Sequence, residues 1–310
     1  MSFPATLRSS GDLLADRRFA YAQDAFKEGD HAAAADLARQ ALERAPGFAP
    51  AQAVLGRALL KLGDAAGARA ALTEALRLDP QDSLGVRVEL ARLGALPTEE
   101  AISPGYVRAL FDDYAPRFDK HLVKNLNYRG PELLAEAVRR ASMARPGGAW
   151  FARGLDLGCG TGLAARAFAG MSGAIDGVDL SPSMLKQARK THLYEELHEA
   201  ELVDFLRRCG ERAYDLVIAA DVLVYVAALD EVFAGVARSL RRFGLFAFSV
   251  QAHDGSEDYV IGEDARYSHA ESYLWRTAER AGLSVALLDR ASTRQECGRD
   301  VPGFVAVLER

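Results

Sequence analysis

From about residue 150 onward the chain alternates short apolar runs with stretches of helical period. The predicted strands fall near 154–158, 174–178, 198–201, 214–220 and 243–250. Most are rich in Val, Leu and Ile and bounded by glycine or polar positions, which predicts strands buried on both faces of a parallel sheet. Helical patterns lie between them, such as LAARAF over 163–168 and a stretch at about 271–281. Two further strands are predicted near 283–290 and 303–309. Strand–helix alternation of this kind predicts a doubly wound α/β sheet with helices on both faces. The first hundred residues follow another rule: they are alanine-rich, helical in period and repetitive.

Gly29 and Gly63 stand 34 positions apart, as do Pro46 and Pro80, Ala41 and Ala75, and Leu42 and Leu76. That period is the one of the tetratricopeptide repeat (TPR). The segments EGDHAAAADLARQALERAPGFAP and LGDAAGARAALTEALRLDPQDS align as one turn, one second helix and one terminating proline. Leu55-Gly56 sits where the repeat pattern places it; Tyr21-Ala22 departs from it in the first copy. A third unit from Asp82 to about Gly94 reads as a capping helix. The chain thus divides into a tail (1–15), an all-α TPR module (16–94), a polar linker around Pro97 (95–103) and an α/β domain (104–310). Two repeats and a cap are too few for an independent solenoid, so the module is expected to lean on the α/β domain or on another subunit. It serves either as a groove for a peptide or protein partner or as an appendage and self-association surface.

The chemistry centres on LDLGCGTG, where the first strand runs into Gly158, Cys159, Gly160, Thr161 and Gly162 and then into a helix. Glycines let the backbone turn tightly and approach a ligand, and the helix start offers unpaired N–H groups. Asp179 ends the second strand 21 positions after Gly158, a place from which a carboxylate accepts from ribose hydroxyls. A dinucleotide fingerprint needs a third glycine where this chain has Leu163. Asp156, two positions before the turn, suits a ligand bearing an ammonium better than a pyrophosphate.

These residues resemble the first motif of the class I S-adenosylmethionine (SAM)-dependent methyltransferases. The resemblance extends to GVDLSPSML, AELVDFL and YDLVIAADVLVYV. It implies a Rossmann-like fold: a seven-stranded, mostly parallel sheet with an antiparallel last strand. It implies SAM as cofactor and S-adenosylhomocysteine as product. Asp179 would then hold the ribose, Leu180 and Met184 flank the adenine, and Glu201 and the Leu202 N–H meet its edge. The carbonyls around Ala219 and Ala220 would face the methionine amine. The segment 104–129 is similar to the aromatic lid of ubiquinone-type methyltransferases, with Phe111, Tyr114 and Phe118 on one helical face; Gly130-Pro131 opens the next helix, to about Ser142.

Asp221, His253 and His269 are the candidates for moving or orienting a proton on an oxygen or nitrogen acceptor. Tyr114, Tyr128, Gln251, Tyr267 and His269 are the candidates for touching the acceptor, the last three on a long connection (251–270) expected to hang over the methyl group. No metal set is apparent; His192 and His198 read as polar surface.

A net charge of −5 and a pI near 5.8 give no basic footprint for nucleic acid. Arg139, Arg140, Arg145 and Arg153 read as a solvated helix face and linker. Cys159, Cys209 and Cys297 form no paired spacing, which suits a reducing cytoplasm, and no apolar run suggests a signal peptide or a membrane span. The expectation is a SAM-dependent methyltransferase of a small-molecule or protein acceptor. The competing readings are a non-catalytic SAM-binding scaffold and a nicotinamide enzyme.

Overall fold

The structure is a computed structural model that describes residues 9–143, 147–296 and 298–310; Arg145, Cys297 and the start of the N-terminal tail lie outside these. The chain forms two compact units, Met1–Asp113 and Tyr114–Arg310.

In the first unit α1 (Leu13–Glu28), α2 (His31–Arg44), α3 (Ala49–Lys61) and α4 (Ala65–Leu78) form two helix pairs. The two Gly-Asp turns have the same construction. Gly29 (φ 86°) and Gly63 (φ 82°) take left-handed conformations, and Asp30 and Asp64 cap the next helix through the N–H groups of Ala33 and Gly67. A Cβ on Gly56 would stand 2.5 Å from Leu72 Cγ, so glycine there lets α3 and α4 close together. The core between them is mostly alanine, with Phe19, Phe48, Leu55, Leu59 and Leu72. The short α5 (Val86–Arg92) follows.

The expected linker 95–103 is not a free connection. It contains a 3₁₀ turn at Thr98–Glu100 and two buried residues, Ala101 and Ile102. Ser103 Oγ then accepts the Tyr106 N–H at 3.0 Å and caps α6 (Pro104–Tyr114), while also bonding buried Asp82 at 3.1 Å. Gly105 lies so close to Gln81 O that no Cβ fits, and Gly85 is crossed by the Tyr106 ring. These contacts join most of α6 to the first unit, ten residues beyond the expected boundary.

The second unit is an α/β sheet built from β1 (Phe151–Leu157), β2 (Ser172–Asp179), β3 (Leu197–Glu199), β4 (Tyr214–Ala219) and β5 (Leu240–Ala252). Two hairpin strands, β6 (Tyr259–Ile261) and β7 (Tyr267–His269), follow, then β8 (Ser284–Arg290), the small pair β9 (Gln295–Glu296) and β10 (Arg299–Asp300), and β11 (Gly303–Glu309). The main order is β3-β2-β1-β4-β5-β11-β8, with β11 antiparallel to both neighbours. The expected seven strands are therefore present, and β7 adds to the end of β5 in parallel.

Alternation along β4 sends Val217 and Ala219 to one face and Leu216 and Ile218 to the other. The first face packs under α11 (Leu202–Arg208), α12 (Asp230–Ser239) and α13 (Glu271–Arg280); the second packs under α8 (Gly130–Ala141) and α9 (Leu163–Phe168). The helices α7 (Phe118–Asn125) and α10 (Pro182–Arg189) complete the list.

Phe111, Tyr114 and Phe118 do not share one helix. Pro116 lacks an N–H and fixes its φ, so the chain makes a 3₁₀ turn over Ala115–Arg117 and restarts as α7. Among the described residues no helix is long and apolar enough to cross a membrane.

Candidate active site

The turn after β1 uses its glycines where nothing else fits. Gly158, Gly160 and Gly162 have φ of 66°, 53° and 97°, the left-handed region that L side chains rarely adopt. A Cβ on Gly158 would meet Val222 at 2.3 Å, whereas Gly160 faces open space bounded by the edge of Phe118. Asp179, at the tip of β2, accepts the Gly160 N–H at 2.8 Å through Oδ2 and the Ser181 N–H at 2.8 Å through Oδ1. Helix α7 lies over the same turn, where Asp119 accepts from Thr161 Oγ1 at 2.5 Å. Burial drives the Cys159 thiol well above its usual range, so it is an uncharged spacer.

Asp156 is fully buried, on the sheet face covered by α8 and α9. The Tyr194 hydroxyl donates to its Oδ2 at 2.7 Å; its Oδ1 is buried with no partner among the described residues. Burial pushes this carboxyl up to about 7, and the nearby charge of Asp179 adds to the rise.

The remaining positions of the implied cofactor set lie along the same strand ends. Ser181 caps α10 through the Met184 N–H, leaving Leu180 half-buried and Met184 buried. Glu201 caps α11 through the Asp204 N–H at 2.9 Å, and Leu202 opens that helix, where the N–H has no intrahelical acceptor. Ala219 closes β4, Ala220 follows it, and Asp221 comes next with a left-handed φ of 54°.

Asp221 is held by three donors. Its Oδ1 accepts from Ser249 and Thr293 hydroxyls, both at 3.0 Å, and its Oδ2 pairs with Arg294 Nη1 at 3.0 Å. The Arg294 side chain is only 2% exposed and also meets Glu296, which in turn binds Arg266. Burial raises the Tyr128 phenol well above its usual range, and the charges of Asp221, Arg294 and Asp156 act on it. Tyr114 packs edge-on against Phe118 at 5.2 Å.

The connection 251–270 differs from the expected overhanging loop. It folds into the β6–β7 hairpin, and pairing of β7 with β5 turns its side chains inward. Tyr267 and His269 are 1% and 0% exposed, so neither stands at an open rim. Both partners of His269 Nε2 are carbonyl oxygens, of Val226 and Ala227, so that nitrogen carries the proton. Burial lowers its pKa to about 4, which keeps the ring neutral. This is a structural histidine rather than a proton carrier to substrate. Gln251 spends both amide ends on Asp264 and Ser268. His253 accepts from the Gly255 N–H through Nδ1, and its Nε2 is buried without a hydrogen-bond partner among the described residues.

Four residues at this site had no signal in the sequence reading: Tyr194, Asp119, Thr293 and Arg294. Each acts through a partner at least 38 positions away.

Known proteins resemble this chain in sequence and in fold. Residues 155–246 match the family model of a methyltransferase domain, and residues 25–92 match that of the tetratricopeptide repeat. Over 146 residues the chain is 39% identical to a ubiquinone biosynthesis O-methyltransferase of Thiobacillus denitrificans (strain ATCC 25259 / T1), covering 42% of this chain and 61% of that protein. The chain thus spans less than two thirds of that relative's length. Among solved structures, the fold is similar to a Burkholderia thailandensis 1,6-didemethyltoxoflavin-N1-methyltransferase with bound 1,6-didemethyltoxoflavin and S-adenosylhomocysteine (TM-score 0.50, 20% identity, 66% of this chain and 88% of that one). It is also similar to the [4+2]-cyclase SpnF (TM-score 0.52, 15% identity, 66% and 94%). Residues 155–246 thus match a methyltransferase domain, in a unit with the Rossmann-like fold of known SAM-dependent methyltransferases, and tetratricopeptide repeats precede it.

Proposed function

We propose that this protein transfers a methyl group from SAM to a small-molecule or protein acceptor. The observation that carries the reading is the convergence, at adjoining strand ends, of the left-handed glycine turn, the Asp179 carboxylate and the buried Asp156 with one open oxygen. The residues fit the cofactor. Gly160 leaves room for a close ligand approach, and a buried carboxylate without a cation calls for an ammonium.

When bound, SAM supplies a methyl already activated on a sulfonium. The chain's task is then alignment and exclusion of water. In this reading Asp156 takes the methionine amino group, together with the carbonyls of Ala219 and Ala220. Asp179 takes the ribose hydroxyls; Glu201 and the Leu202 N–H take the adenine edge, between Leu180 and Met184. Phe118 and Asp119 cover the turn of Gly158, Cys159, Gly160, Thr161 and Gly162. On the acceptor side Asp221, Tyr128 and Tyr114 orient the nucleophile. With three donors already on its oxygens, Asp221 is suited to hold an acceptor hydroxyl or amine rather than to remove its proton. The repeats supply a surface for a protein partner or a protein acceptor.

A [4+2]-cyclase among the fold relatives makes turnover, not binding, the deciding measurement. Full-length protein incubated with SAM and fractionated extract of its source cells should form S-adenosylhomocysteine, detected by mass spectrometry, with Gly160→Val as the inactive control. SAM binding without product in any fraction would favour the non-catalytic scaffold.

A further inference from the structure

We propose that Tyr194 is a positioning residue for the cofactor: by occupying one oxygen of Asp156 it presents the other to the methionine ammonium, and it couples cofactor binding to release of a proton. This rests on the SAM reading above and extends it to a residue outside the methyltransferase motifs.

Tyr194 is tightly held. Its ring fills the space left by two glycines. A Cβ on Gly177 would stand 2.9 Å from the ring, and one on Gly162 would stand 3.2 Å from it. A ring gripped between the glycine turn and β2 has little freedom, so its hydroxyl reaches Asp156 Oδ2 in a fixed direction at 2.7 Å. The phenol is always a donor here, because burial and the Asp156 charge raise its pKa far above the usual range. Among the described residues, Oδ1 is then the one acceptor on the carboxylate left without a partner.

Among the described residues, the titratable groups that face Asp156 from the surrounding elements are Tyr194, Asp179, Cys159 and Tyr128. None of them is a cation. An ionised Asp156 is therefore uncompensated until a ligand brings positive charge, and burial keeps it partly protonated near neutral pH, with its pKa at about 7. An ammonium needs the ionised form. Below that pKa the carboxyl proton must leave as the ligand enters, so affinity weakens as pH falls. The tyrosine bond favours the ionised form; removing it raises the carboxyl further and moves the pH dependence upward.

The test is titration calorimetry on the full chain with S-adenosylhomocysteine, which carries the amino group, and with 5′-methylthioadenosine, which lacks the amino-acid end. For the wild type, S-adenosylhomocysteine should bind about tenfold more weakly at pH 6 than at pH 8, with proton release seen as a buffer-dependent heat. Tyr194→Phe should weaken it roughly tenfold more at pH 7 and leave methylthioadenosine affinity within about twofold. Asp156→Asn, which keeps the shape, should abolish the pH dependence between pH 6 and 8.

Equal losses for both ligands in Tyr194→Phe would reduce Tyr194 to packing and overturn the proposal. So would wild-type affinity and pH profile in that variant, or a pH slope that survives in Asp156→Asn. Absence of S-adenosylhomocysteine binding by the wild type would instead overturn the SAM reading, and this proposal with it.

Discussion

Asp179 Oδ2 accepts the Gly160 N–H at 2.8 Å, so the carboxylate at the tip of β2 holds the turn that follows β1. One side chain thus orders the loop and, in the proposed function, also takes the ribose hydroxyls. Asp179→Ala should lower SAM affinity on the order of a hundredfold, since hydrogen bonds to a charged acceptor contribute roughly 1.5–3 kcal/mol each. Melting temperature should drop as well, because Gly160 loses its acceptor. Gly160→Val places a β-branched residue at φ 53°, a strain of about 1–2 kcal/mol, and should abolish SAM binding. Calorimetry finding wild-type affinity in both variants would remove the cofactor site from this turn.

His269 predicts an acid-sensitive fold. Its folded pKa, about 4, lies below the unfolded value of 6.5. Its contribution is therefore complete above pH 6.5 and disappears as pH falls toward 4. A depression of this size corresponds to about 3 kcal/mol. Urea unfolding at pH 7 and pH 4 should show that loss in the wild type and much less of it in His269→Gln, with SAM affinity at neutral pH within about threefold. A large SAM defect at pH 7 would contradict a purely structural histidine.

Arg294 should matter through Asp221. Arg294→Met leaves Asp221 Oδ2 without its cation, and Glu296 loses a partner. The expected cost is about 2 kcal/mol, below the range for fully buried pairs because Asp221 keeps two hydroxyl donors. Adding Asp221→Asn should restore part of that stability, a coupling that a double-mutant cycle reads directly. Additive losses would show that the two residues act independently.

In the first unit, Asp82 is buried and bonds the Val86 N–H at 2.7 Å and Ser103 Oγ at 3.1 Å. Burial raises its pKa to about 6, so its carboxyl favours the fold below the unfolded carboxylate pKa and loses that advantage as pH rises through 6. Asp82→Asn should match or exceed wild-type thermal stability at pH 7.5, whereas Asp82→Ala should cost about 1–2 kcal/mol through the lost cap. Asn and Ala variants of equal stability would show that these hydrogen bonds carry no weight.

A chain beginning at Tyr114 should still bind SAM, because every proposed cofactor contact lies beyond that residue. Cutting at Ser103 instead retains α6 while removing the Asp82 loop that anchors it. Loss of SAM affinity in a folded Tyr114–Arg310 fragment would show that the first unit completes the cofactor site.

Features that repeat, or that sit within a few residues of one another, are legible in the amino-acid order. The 34-residue period, the Gly29-Asp30 and Gly63-Asp64 turns, the strand–helix alternation, and the order of the glycine turn before Asp179 are all local. A backbone conformation or a hydrophobic period leaves its mark on adjacent positions. Pro116 was a local signal too, overlooked in the helical spacing of the aromatics it interrupts.

Which polar groups meet, and which are dry, depends on how the chain packs. Tyr194 reaches Asp156 across 38 positions and Arg294 reaches Asp221 across 73, and each pair exists because strand order brings their ends together. His269 and Tyr267 look like rim residues by type and place in the chain, yet pairing of β7 with β5 buries them. The same pairing logic attached α6 to the repeats through Asp82 and Ser103 rather than to the strands that follow. Residue type states what a side chain can donate or accept; its solvent and its partner are properties of the packed chain.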